Sequence, residues 1–148
     1  MSVGVVEGIH IAEKREAPTR ARPNVEAVPG RGLEGDRHFD RDKHDLTLIE
    51  AEAIEDLARE GGIELGPGEP RRQLVTRGIG LNELVGKRFR VGEVLCEGEE
   101  LCHPCRHMER LTQPGVLNGL AGRGGLCARV VEGGTISVGD RVEECNPS

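Results

Sequence analysis

Twenty-two glycines divide this 148-residue chain into runs that are mostly too short for long helices. They stand in small, regularly spaced clusters between stretches such as "SVGVVEGIHIA", "KRFRVGEVLCEG", "LCARVVEGG" and "TISVGDRVEE". Apolar and β-branched runs punctuated in this way describe many short strands joined by tight turns. The expected fold is therefore mainly β. A closed or partly open β-barrel with a few short helices over its ends accommodates that many strands without leaving long edges.

One segment breaks the strand pattern. In "LIEAEAIEDLAREGG", Ala51, Ile54, Leu57 and Ala58 recur at helical spacing, Gly61 can adopt the left-handed conformation that ends a helix, and Thr47 is placed to cap the start. Shorter helices are expected in "GIGLNELVG" and from Pro104 to about Gly122, the latter broken at "QPG" because Pro114 disfavours helix at Gln113. A chain of this length buries one core and is too short for two ordinary domains, so residues 1–148 are expected to form a single unit.

No apolar run is long enough to span a bilayer, and the amino terminus lacks the basic region and apolar core of a secretory signal, so a cytoplasmic location is expected. A net charge of −6, no Trp or Tyr and only Phe39 and Phe89 disfavour a nucleic-acid partner, and no membrane partner is expected either. In a reducing compartment the five cysteines, Cys96, Cys102, Cys105, Cys127 and Cys145, are expected to be thiols rather than structural disulfides.

The stretch "LCHPCRHMER", residues 101–110, concentrates the chemistry. Pro104 suits a first helical position, which would put Cys105 in the first turn, at the positive end of a helix dipole and close in sequence to His103, Arg106 and His107. That setting favours thiolate over thiol, and a thiolate can act as nucleophile, sulfur carrier or soft metal ligand. Against this stands an inward face of Cys105, Met108 and Thr112 in which the sulfur only fills space. Cys102 and Cys105 also have the spacing of a zinc half-site, but no second pair completes it, and of a redox dithiol, but they lie far along a strand-rich chain. Cys96 and Cys127 fall in apolar strand patterns and Cys145 in the tail, leaving Cys102 as the one cysteine that could support Cys105, as a resolving thiol.

A second constellation lies upstream. "VPGRGLEGDRHFDRDKHD" joins Gly30, Gly32 and Gly35, which would let backbone amides converge, to Arg31, Arg37 and His38, which bring charge to an anionic group. Its aspartates do not match the spacing of a calcium loop. Further on, "GEPRRQLVTRGIGL" is expected to open a strand on which Arg71 and Arg72 point to opposite faces, with Arg77 able to join one of them. Arginine is suited to bidentate recognition of oxyanions.

Taken in order, "PGRGLEGDRHF", "LTLIEAEAIEDL", "RRQLVTRGIGLNELVGKRFRVGEVLCEGEELCHPC" and "GLCARVVEGGTISVGDRV" resemble a stand-alone MOSC domain, similar to the carboxy-terminal part of molybdenum cofactor sulfurases. The likeness runs from about Val3 to Val142, with Gln73 where relatives often carry Asn. It implies a barrel like the pyruvate-kinase β-barrel domain and makes Cys105 the functional cysteine. In larger relatives that cysteine is associated with carrying sulfur from a pyridoxal-phosphate cysteine desulfurase, or with ligating the molybdenum of a molybdopterin cofactor. The chain has no room for a desulfurase domain, so no pyridoxal phosphate site of its own is expected and a desulfurase would be a partner. Three functions follow as expectations. Cys105 accepts sulfane sulfur as a persulfide and passes it to a metal or cofactor acceptor gripped by Arg31, Arg37, His38, Arg71 and Arg72. Alternatively, Cys105 ligates molybdenum in an oxidoreductase of the amidoxime-reducing type, or the chain is a non-catalytic module for an oxyanion or cofactor.

Overall fold

The computed structural model describes residues 3–15, 17–40, 44–103 and 106–145. Among the described residues eleven strands and three short helices appear in the order β1 (Val3–Ile11), β2 (Arg20–Ala21), β3 (Asn24–Val28), β4 (Gly32–Leu33), β5 (Leu46–Glu50), α1 (Ala51–Gly61), β6 (Leu74–Arg77), β7 (Arg88–Val91), β8 (Val94–Leu101), α2 (Arg106–Leu111), α3 (Val116–Gly119), β9 (Leu126–Glu132), β10 (Gly134–Ser137) and β11 (Arg141–Glu144). The order around the main sheet is β11-β7-β8-β9-β5-β6-β1, and β11 pairs back onto β1, so seven strands close a ring. Six of its pairings are antiparallel and one, β5 with β6, is parallel. Strand β2 extends β1 on the outside, and β10, β3 and β4 form a separate three-stranded sheet. The mainly β barrel expected from the glycine punctuation is therefore present, and closed.

The ring encloses the main core: Val6, Ile9, Leu46, Leu48, Leu74, Phe89, Val91, Cys96, Leu126, Val130 and Val142 are all buried in one cluster. A second cluster, around Ile49, Ile54, Leu57, Val75, Met108, Val116 and Leu120, lies where the three helices pack on β5 and β6. Leu48 and Ile49, like Leu74 and Val75, are successive residues of one strand in different clusters. Both faces of the parallel pair are thus covered, as parallel strands require.

Two boundaries differ from the sequence expectation. Leu48, Ile49 and Glu50 belong to β5, and α1 begins at Ala51 without a side-chain cap. Thr47 is occupied elsewhere, its Oγ1 accepting from the Gln73 amide at 3.1 Å. The left-handed residue closing the helix is Gly62, at φ 67°, rather than Gly61. "GIGLNELVG" forms only a 3₁₀ turn over Leu81–Leu84. The break at "QPG" falls as expected, between α2 and α3.

Strand β1 carries an irregularity that matters below. Its pairing with β6 slips between Val6 and Gly8. Before the slip Gly4 and Val6 are buried and Val5 exposed; after it Ile9 and Ile11 enter the barrel core. The bulge moves the inward face from even to odd positions and leaves His10 on the opposite side.

Candidate functional site

The glycine-rich loop closes on a buried carboxylate. Asp36 accepts hydrogen bonds from the Ala12 amide at 3.1 Å, the His38 amide at 3.0 Å and the Gln73 side-chain amide at 2.7 Å. The His38 ring nitrogen Nδ1 lies 3.3 Å away and an Arg37 guanidinium nitrogen 3.8 Å away. Burial alone would push this carboxyl up, but the His38 side chain, the two backbone amides and the Arg37 charge outweigh it and bring it down to about 2. Gln73 completes the brace by accepting the Thr47 amide at 2.8 Å on its carbonyl oxygen. The longer glutamine amide thus bridges the loop and β5.

The same bonds change the view of how this loop could hold an anion. Gly30, Gly32 and Gly35 all have positive φ, as turns of this kind need. Their loop's amides, however, point at internal acceptors: Gly30 donates to Asp45, Arg31 to the Val28 carbonyl, Asp36 to Leu33, Arg37 to Ala12 and His38 to Asp36. Asp45 also accepts from Val130, tying the loop to β9. Anion binding here would rest on guanidinium groups and not on a cradle of amides.

Those groups separate into two sets. Arg37 is half-buried; its burial lowers its basicity, Asp36 opposes that, and the Arg71 charge acts in the same sense as burial. Arg71 is a non-glycine residue at φ 62° and donates to the carbonyls of Ala17 and Arg15 at 2.7 and 2.6 Å. Arg72 donates to the Gly124 carbonyl at 2.7 Å and to the His103 carbonyl at 3.3 Å. Neither lies on a pleated strand, since β6 begins only at Leu74; the expected alternation of faces is replaced by a turn that sets Arg71 against the 15–17 segment and Arg72 beside the end of β8. Arg31 stands apart, exposed, in a two-pronged bond with Asp40 and over the Phe39 ring at 4.6 Å. Arg77 does not join either; Glu7 and Glu55 hold it. A hydrogen bond with Glu55, then one with Glu7, raises its basicity.

The sulfur side of the site is only partly described. Pro104 and Cys105 lie outside the described residues, so the expected helical start and its effect on the thiol are not part of this geometry. Met108 is buried as its spacing suggested, and the Thr112 hydroxyl donates to its carbonyl. Cys102 and Cys127 form a disulfide with Cα atoms 5.6 Å apart, which corrects the expectation of five thiols and gives Cys127 more than a packing role. Cys102 is thereby taken up by a partner other than Cys105. Cys96 fits the packing expectation: it is fully buried, and burial pushes its thiol up to about 12. Among the described residues no group of three or more His, Cys, Asp or Glu side chains is arranged to hold a metal ion.

A cavity of about 500 Å³ opens between His10, Thr19, Glu69, Arg71 and Leu111, the last residue of α2. His10 is 9 % exposed, its Nε2 has no hydrogen-bond partner among the described residues, and burial disfavours its charged form. Nothing in the residue pattern singles out His10, because its placement depends on the bulge in β1. Asp36 was equally unmarked, a carboxylate beside glycine and cations in "EGDRH" being the available signal, and Gln73 was marked only as standing where relatives often carry Asn.

Residues 34–143 match the family model of the MOSC domain. Among solved structures, the YuaD protein of Bacillus subtilis superposes with a TM-score of 0.84 at 19 % identity, covering 97 % of this chain and 98 % of that one. YiiM from Geobacillus stearothermophilus gives 0.78 at 13 % identity, covering 97 % and 75 %. YiiM from Escherichia coli gives 0.73 at 19 % identity, covering 100 % and 71 %. These likenesses concern the fold. No curated protein matches the chain. No helix among the described residues is long and apolar enough to cross a membrane.

Proposed function

Because the chain belongs to the MOSC domain family, associated with molybdenum-cofactor-related proteins, we propose that Cys105 accepts a sulfane sulfur as a persulfide and hands it to a metal or cofactor acceptor. The observation that carries this reading is the reach of Arg72 to the His103 carbonyl, two residues before Cys105, with the Arg71 charge close enough to act on Arg37. A persulfide donor needs a local positive field to keep the sulfur anionic and to draw in an anionic acceptor. Arg37, Arg71 and Arg72 supply that field, with His38 at its edge; Arg31, already held by Asp40, contributes at longer range. The donor is a pyridoxal-phosphate cysteine desulfurase, acting as a separate partner.

Incubation of the reduced chain with such a desulfurase and cysteine is expected to add one reducible sulfur to Cys105, read by peptide mass spectrometry. An accessible, reduced Cys105 that gains none overturns the proposal.

The cavity beside Arg71 favours a second reading, in which an anionic pterin cofactor sits there and Cys105 ligates its metal, since about 500 Å³ falls within the range of small-molecule sites. Arg71, the cation in the lining, would hold the cofactor's phosphate. Chain purified from a cofactor-producing host would then carry molybdenum and pterin in proportion to protein, and metal-free, pterin-free protein would remove this alternative.

A further inference from the structure

The imidazole that the β1 bulge turns out of the barrel is slotted between two glycines. A Cβ on Gly8 would stand 2.7 Å from its Nε2, and a Cβ on Gly68 would stand 3.0 Å from its Nδ1, so the ring lies where only residues without side chains leave it room. Each glycine lines a different cavity: Gly68 the one of about 500 Å³ beside Arg71, Gly8 a second of about 310 Å³ whose walls include Ile9, Val75 and Val138. The two cavities share His10, Ala21 and Pro67, and the imidazole stands where they meet. Its Nε2 is buried and has no hydrogen-bond partner among the described residues, a condition that buried polar groups rarely keep. At the larger end Arg71 is the cation of the lining, fixed by the carbonyls of Ala17 and Arg15. It is one of two non-glycine residues at positive φ among the described residues, and backbone strain of this kind clusters at ligand sites. The exposed Glu69 in the same lining disfavours a guest with a second negative charge. At the smaller end the walls are mostly apolar, and the Glu7 carboxylate is drawn off by Arg77.

We propose that these joined cavities bind an amphipathic monocarboxylate that carries a hydrogen-bonding group, an amide or a hydroxyl, partway along its apolar chain. The carboxylate lies toward Arg71, the polar group meets the His10 imidazole, and the apolar end fills the space beside Val75 and Val138. Burial keeps the imidazole neutral, and a neutral ring offers one donor and one acceptor, so it can pair with an amide or hydroxyl in either sense. Nothing in this assignment involves Cys105, so the site stands or falls apart from the persulfide reading. A pterin held at Arg71 would compete for the same space.

The test uses the full chain, shown by fluorescence to be free of pterin, and three probes of equal chain length. N-hexanoylglycine carries the carboxylate, the amide and the apolar chain; nonanoate lacks the amide, and N-ethylhexanamide lacks the carboxylate. By calorimetry N-hexanoylglycine is expected to bind one to one with a dissociation constant of about 2 mM or tighter, as a ligand of its size allows. Absence of saturable binding overturns the inference. Nonanoate and N-ethylhexanamide are each expected to bind about tenfold more weakly, since each leaves one polar partner unmet. Probes that bind alike, or in the reverse order, report apolar uptake alone and overturn it. In His10→Leu, N-hexanoylglycine is expected to fall to the affinity of nonanoate while nonanoate is unchanged, and equal weakening of both overturns the assignment of His10. A measurement without substitution guards against a folding defect: in the wild type, saturation with N-hexanoylglycine is expected to shift the His10 ring-nitrogen resonances by NMR, and unmoved resonances overturn the inference.

Discussion

The loop around Asp36 and the β8–β9 edge around Cys102 are held by different physics. On the loop side a single buried carboxylate gathers two backbone amides, a glutamine and the charges of His38 and Arg37. On the other side a covalent sulfur pair and one arginine, bonded to the carbonyls of Gly124 and His103, do the holding. Hydrogen bonds to a charge fix a geometry at equilibrium and fail when the charge is neutralised; a disulfide fails only when electrons are supplied. The difference teaches that one wall of the site is built to be constant and the other can change with redox state.

The sharpest break in that comparison is Asp36→Ala. It leaves the Ala12 and His38 amides and the Gln73 side chain without their acceptor in a buried position, and is expected to lower stability by about 4 kcal/mol, read from urea unfolding. Reducing the Cys102–Cys127 bond comes next: it frees a loop with a sequence separation of 25, and about 3 kcal/mol should be lost in the same assay. The reduced chain should keep the Asp36 geometry, seen as unchanged shifts of the Ala12 and His38 amides by NMR. The third and smallest effect is acid. Asp36 titrates near 2 in the folded chain, below its ordinary value near 4, so its stabilising share of roughly 2 kcal/mol is complete above that ordinary value and is lost as pH falls from about 4 to about 2. Unfolding measured across that window should show a loss smaller in Asp36→Asn than in the wild type by that share, the rest coming from other paired carboxylates such as Asp56 and Glu97.

These two walls were unequally legible in the sequence. Glycine clusters and β-branched runs set out most of the ring strands, because tight turns and pleated faces impose local rules on residue type. The boundary of α1 was not legible: "LIE" has the apolar spacing of a helix start, and only pairing of β5 with β6 and β9 makes it a strand. Arg37 and His38 could be picked out as cations beside glycine, yet the acceptor that organises them, Asp36, looks in sequence like any solvated aspartate. The Cys102–Cys127 pair was hidden for a different reason, since 25 residues and two helices separate partners brought together only by the register of β8 on β9. Arg71 was misplaced because a strand was expected where the chain makes a left-handed turn.

One property of the ring reaches beyond the site. Strands that alternate up and down can close a circle only if their number is even, so a circle of seven must contain an odd number of neighbours running the same way. Here there is one such pair, β5 and β6. Two neighbours of like sense cannot be joined by a hairpin; the chain must travel back along the outside before re-entering, and α1 with the 62–73 segment makes that journey. The return path ends at Arg71 and Arg72. The arithmetic of closing the circle therefore obliges the chain to deliver its paired cations at the mouth where β6 begins, and shortening the return to a tight turn would reverse β6 and unzip the circle together with the site.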